Sequence, residues 1–195
     1  MTREESLKVP ALILLAMGIV SGIGAAIVSS VTVQMLPPEA ASMGGLIAGI
    51  GFVAAIISVF ILWWAIPSVL FFLLSRVFSG TGSIKRTFEF VAYGMIPQIA
   101  SGIISTGIFY VYFTSLRLSP ITDPMLIAEE MEAIMQSPML QMATLISLLF
   151  ILWSASLWIF GMQEAHRLSR RNAAITVGIP VALYIIYTVV TFWGM

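Results

Sequence analysis

The chain has 195 residues, 59% of them hydrophobic and 9% charged, and nine basic and nine acidic side chains give a formal net charge of zero. A soluble domain carries roughly 25% charged residues, so this composition excludes a fold with an ordinary water-facing surface. The balanced charge gives no reason to expect nucleic acid; the absence of cysteine removes disulfides and thiolate metal sites, and one histidine, His166, is too few for a histidine-built metal centre.

Five long intervals contain no Asp, Glu, Lys or Arg: 9–38, 40–75, 90–116, 133–163 and 172–195. Each exceeds the roughly 20 residues that an α-helix needs to cross a hydrocarbon core. Lipid offers nothing to pair with backbone amides, so a crossing segment is a helix or belongs to a closed barrel. Barrel strands alternate in polarity over about 10 residues, whereas 11–19 is apolar on every side. The expected fold is all-α: a single membrane domain, a polytopic bundle of five transmembrane helices, with spans near 10–34, 45–76, 89–114, 140–163 and 173–194.

The first span follows Arg3 and Lys8, as a signal peptide would, but its apolar run is longer than the ~7–15 residues of a signal core and lacks a small-residue cleavage site, so it is expected to be retained. The second is too long for a straight crossing and is expected to tilt, protrude or kink near Pro67. The loop at 79–90 follows. Gly80 and Gly82 are expected to end one helix, and Ser83 or Thr81 to cap the next. This glycine pair is no dinucleotide fingerprint, since no strand precedes it. Glu89 lies at the start of the third span, and Gln98, beside Pro97, is the polar side chain expected to be most buried within it.

Between the third and fourth spans, Asp123-Pro124 signals an N-cap and a first helical position. The amphipathic helix expected at 124–136 gathers Leu126, Ile127, Met131, Ile134 and Met135 on one side, with Glu129, Glu132 and Gln136 opposite. The functional reading is a lid or a partner-docking helix; a packed connector between spans three and four is the simpler one and is favoured. The fourth span leads to a second basic loop, Glu164 to Asn172, where His166 is expected as an ordinary exposed histidine rather than a pH sensor. In the fifth, Pro180 stands after a basic loop much as Pro97 does in the third, a weak internal echo in which both prolines would kink their helices at similar depth. Trp63 and Trp64 are placed near a span end, as interfacial anchors.

Lysine and arginine set the orientation. With the amino terminus cytoplasmic, the inner segments hold Arg3, Lys8, Arg76, Lys85, Arg86, Arg167, Arg170 and Arg171, and the outer ones only Arg117. The positive-inside rule therefore gives N-in and C-out. Lys85, Arg86, Arg167, Arg170 and Arg171 are the candidate contacts to anionic lipid or to a protein partner.

The run Gly-Thr-Gly-Ser-Ile-Lys-Arg-Thr-Phe-Glu-Phe-Val-Ala-Tyr-Gly-Met-Ile-Pro97 resembles the Yip family, the Ypt/Rab-GTPase-interacting membrane proteins. The basic loop and the Tyr93, Gly94, Pro97 pattern carry the likeness. The later Trp-Ser-Ala-Ser-Leu-Trp158 and Glu-Ala-His-Arg-Leu-Ser-Arg-Arg-Asn-Ala-Ala174 are similar to the fourth span and second inner loop of prokaryotic relatives. The resemblance implies a five-span, non-enzymatic protein linked to membrane organisation and trafficking. Its eukaryotic members carry a long cytosolic amino-terminal region, whereas about eight residues precede the first span here, which argues against small-GTPase recruitment and for a minimal archaeal or bacterial member in the plasma membrane.

No catalytic site, cofactor site or metal site is expected, because no nucleophile has a matched base and no two carboxylates share a span. The leading expectation is a scaffold whose partners are membrane lipids, other membrane proteins or further copies of itself. The last is suggested by Gly18, Gly22, Gly24, Gly45, Gly49, Gly51, Gly102 and Gly107, which otherwise pack the chain's own helices. The alternative is a small transporter or channel for a neutral solute or lipid, disfavoured because ion-coupled carriers place ionisable residues deep in their spans.

Overall fold

A computed structural model describes residues 7–193, which are helical apart from short connections. In chain order these are α1 (Lys8–Met35), α2 (Pro38–Ala41), α3 (Gly44–Ser58), a π-helical stretch (Val59–Ala65), α4 (Ile66–Val77), α5 (Ile84–Gly94), α6 (Ile96–Ser115), α7 (Pro124–Met135), α8 (Pro138–His166) and α9 (Arg170–Trp193). Five units are long and apolar enough to cross a membrane: Lys8–Met35, Gly44–Val77, Ile84–Ser115, Pro138–His166 and Arg170–Phe192. Leu12, Leu149 and Leu183, on three of them, are 65%, 66% and 63% exposed. Large apolar side chains turned outward around a bundle suit hydrocarbon rather than water, consistent with a five-span membrane bundle. Arg3 and Met195 lie outside the described residues.

Prolines shape two of the units. Pro67 has no amide hydrogen, and its ring crowds the carbonyl four residues earlier. The second unit meets this with the π-helical turn Val59–Ala65, which widens the backbone just before Pro67 enters the first turn of α4. Pro97 separates α5 from α6: Met95 lies between the two helices, and Pro97 sits in the first turn of the next one, which starts at Ile96. Pro180 stays inside the continuous α9, so the expected pair of matching kinks is not seen as matching breaks.

α1 packs against α3 and α6, and α8 against α5, α6 and α9. One apolar core joins Leu14, Phe71, Met95, Trp158 and Val177; a second joins Val31, Met35, Phe113, Ile134 and Leu140 beneath α7. α7 starts as its sequence directs, with the Asp123 carboxylate accepting the Met125 amide at 2.9 Å. It turns Ile127, Met131, Ile134 and Met135 onto the second core. Leu126 falls off that stripe and is 50% exposed, correcting its expected place on the apolar side.

Small residues admit close helix contacts within the chain. A side chain at Gly22 would strike the Phe52 ring, and one at Gly102 would press on Val20, whereas Gly45, Gly49 and Gly107 face open space. Trp63 and Trp64 lie about 20 Å along the helix from its Val77 end, by 1.5 Å per residue. They are not end anchors: the Trp64 indole donates to the Phe88 carbonyl at 2.8 Å, and Trp63 meets the Tyr184 ring edge-on.

Candidate functional site

The two basic loops come together at one end of the bundle. α4 closes with Ser79 in the left-handed region, φ 60°, and the Gly80 amide donates to the Ser75 carbonyl at 2.9 Å. The left-handed residue is thus a serine, not either of the glycines expected to end this helix. Arg76 curls over the loop and donates to the carbonyls of Gly80 at 2.7 Å and Gly82 at 2.8 Å, loop acceptors that no helix pairs. Gly82 is needed for proximity, because a Cβ there would run into the Ala165 carbonyl and the His166 ring. Ser83 then caps α5, its hydroxyl accepting the Arg86 amide at 3.1 Å.

The second loop has the same plan in fewer residues. Arg167, φ 54°, ends α8 in the left-handed conformation, and the Ser169 hydroxyl accepts the Asn172 amide at 3.2 Å as α9 begins. The Thr81 amide donates to the His166 carbonyl at 3.2 Å and stitches one loop to the other.

His166 is the centre of this junction and corrects its expected exposure: it is 1% exposed and closes the last turn of α8. Nδ1 lies 2.9 Å from the Ser75 hydroxyl, and Nε2 lies 2.7 Å from the Thr87 hydroxyl. The Ser75 hydroxyl also lies 2.6 Å from the Phe72 carbonyl, the bond its own proton makes when Nδ1 carries the ring proton. Nε2 takes the remaining bond to Thr87, whose oxygen is also 3.1 Å from the Ser83 carbonyl. The Phe72 ring closes one side of the imidazole. One ring thereby joins α4, α5 and α8. Sequence reasoning missed it because Ser75 and Thr87 are 91 and 79 residues away. The available signal was a histidine ending a long apolar run, opposite a loop containing a glycine.

Deeper in the bundle lie the other expected residues. Gly94 is buried where any side chain would overlap the Trp158 indole. Trp158 is 3% exposed, and its Nε1 donates to the Val91 carbonyl at 2.9 Å. Tyr93 is half-buried beside it in sequence, and Pro97 is buried. Gln98 is buried as expected, its amide donating to the Ser154 hydroxyl at 3.1 Å. Glu89 is buried too, paired with Arg86 at 2.7 Å. Such a pair is weak evidence for net stability, though removing one partner alone is costly.

The cationic candidates therefore divide. Arg86 is half-buried, bonded to Glu89 and lying over the Phe90 ring. Lys85, Arg167, Arg170 and Arg171 are exposed on this face. Among the described residues no group of three or more His, Cys, Asp or Glu is placed to hold a metal ion.

The Yip1 domain matches residues 1–192. An uncharacterized protein of Methanocaldococcus jannaschii is 32% identical over 108 residues, covering 55% of this chain and 76% of that relative. No solved structure matches the chain.

Proposed function

The chain belongs to the Yip1 domain family, whose members are generally non-enzymatic membrane proteins, and from that premise we propose that it is a membrane-organising scaffold. In this reading it lies in the cell membrane with its amino terminus and basic face cytoplasmic and its carboxyl terminus outside. The basic face engages anionic lipid headgroups or partner proteins. The observation that carries the reading is the His166 junction: it ties the two loops together, so Lys85, Arg167, Arg170 and Arg171 belong to one fixed surface rather than two independent loops. Each cation near an anionic surface is worth about 1 kcal/mol.

Native mass spectrometry after reconstitution in vesicles of phosphatidylglycerol and phosphatidylcholine tests this. The wild-type protein should retain phosphatidylglycerol, and the combined variant K85Q/R167Q/R170Q/R171Q should lose most of it. Equal retention by the two proteins would refute the reading. The rival, a route for a neutral solute or lipid, draws on the buried Gln98–Ser154 hydrogen bond. Selective flux into liposomes, abolished by Gln98→Ala, would establish the rival instead.

A further inference from the structure

Two cavities lie along α9, and Tyr184 lines both. The first, about 300 Å³, sits between α6, α8 and α9 toward the α7 end, where Met135 forms part of its wall. Its lining is rich in hydroxyls, from Ser105, Thr144, Ser147, Tyr187, Thr188 and Thr191. The second, about 310 Å³, lies between the second span, α8 and α9, with walls of Leu62, Trp63, Pro67, Leu70 and Val181. The Tyr184 ring stands edge-on to Trp63 at 5.2 Å where the two linings meet.

The contrast between the linings defines the ligand. Among the described residues, neither lining contains a charged side chain. In the first, Thr144 and Thr188 give their protons to the Leu140 and Tyr184 carbonyls of their own helices, at 3.1 Å and 2.9 Å. Thr188 also meets the Tyr184 side chain in a hydrogen bond, and each threonine oxygen has a second lone pair for an incoming donor. Clustered hydroxyls in a hydrocarbon setting gain by pairing with a guest that both donates and accepts. The second cavity offers only apolar contact for its guest's remainder. Along α9, Val181 and Thr191 are about 15 Å apart by helical rise, a distance an acyl chain can run. Tyr187, Leu62 and Leu70 are exposed on the flank of the bundle, so both cavities reach its lateral surface.

We propose that the two cavities, which share Tyr184 as a wall, together bind a lipid with an uncharged, hydroxyl-bearing headgroup, of the acylglycerol or glycolipid type. The headgroup lies among the Ser147, Thr144 and Thr188 hydroxyls, and one chain passes Tyr184 into the slot beside Leu62 and Leu70. An anionic phospholipid finds no cation in either lining, and a free polyol leaves the apolar slot unfilled. The site is separate from the basic face, so the two proposals fail independently.

The test offers monooleoylglycerol, dioleoylphosphatidylglycerol and glycerol in competition to the purified protein and measures retained ligand by native mass spectrometry. Monooleoylglycerol should be retained. The S147A/T188V variant removes two hydroxyls with little change in volume and should lower retention about tenfold, as expected for two lost hydrogen bonds. Leu70→Trp, on the exposed side of α4, fills the slot without touching the headgroup cavity and should lower it similarly. K85Q/R170Q should leave it unchanged. Undiminished monooleoylglycerol retention by both cavity variants, displacement of monooleoylglycerol by phosphatidylglycerol in the K85Q/R167Q/R170Q/R171Q background, or displacement by glycerol alone would each overturn the proposal.

Discussion

At its basic end the bundle is closed by side-chain hydrogen bonds between loops distant in sequence, whereas at the α7 end it is closed mainly by apolar cover. His166, Ser75, Thr87 and Thr81 tie α4, α5 and α8 into one unit. At the far end Ile134 and its neighbours on α7 rest on Val31, Met35, Phe113 and Leu140, with one backbone bond from Ile121 to Met35 at 2.7 Å pinning the linker. Hydrogen-bond geometry is specific, and a partner left alone in a buried site pays its whole desolvation cost. Apolar cover is non-directional and tolerates gaps. The rigid end is accordingly where the exposed cations are displayed, and the forgiving end is where the hydroxyl-lined cavity is found.

This contrast orders the expected effects of mutation. The largest belongs to Gly94→Leu, which drives a side chain into the Trp158 indole and breaks its bond to Val91. It should destabilise the detergent-solubilised protein by more than about 3 kcal/mol. A wild-type melting temperature would show that α5 and α8 do not approach as closely as described. Next is His166→Ala, which opens a void and strips two hydroxyls of their shared partner, at about 2 to 3 kcal/mol. If this loss were under 0.5 kcal/mol, the basic end would not be locked by polar contacts.

At the opposite end, Ile134→Ala should cost about 2 kcal/mol, while Leu126→Ala, on the exposed side of the same helix, should change stability by less than about 0.5 kcal/mol. Equal effects would mean that α7 does not present its Ile134 stripe to the core. The smallest change is a gain. Thr176 is fully buried on α9 and its hydroxyl has no partner among the described residues, so Thr176→Val should stabilise by about 1 kcal/mol. A loss on that substitution would reveal a bond to the hydroxyl.

Much of this architecture was legible because it depends on local chemistry. The charge-free intervals mark the long helices, Asp123 and Ser83 cap where their side chains direct, and Pro97 breaks the third unit because it lacks an amide hydrogen. Gln98 was identifiable as buried from its place within an apolar run. What stayed hidden depends on long-range packing. No periodicity in α8 reveals that His166 turns toward Ser75 and Thr87, or that Trp158 rather than Trp153 enters the core. The widened turn at Val59–Ala65 illustrates the middle case: Pro67 announces a disturbance, while its form follows from the surrounding helices.

The proposed topology puts both basic loops on the cytoplasmic face and α7 on the other side of the membrane. The chain contains no cysteine, so single cysteines at Lys85, Arg170 and Met125 can be labelled in intact cells with a membrane-impermeant maleimide. The account predicts that the Met125 position reacts at once, and that the other two react only after permeabilisation. Labelling of all three positions from the same side would contradict it.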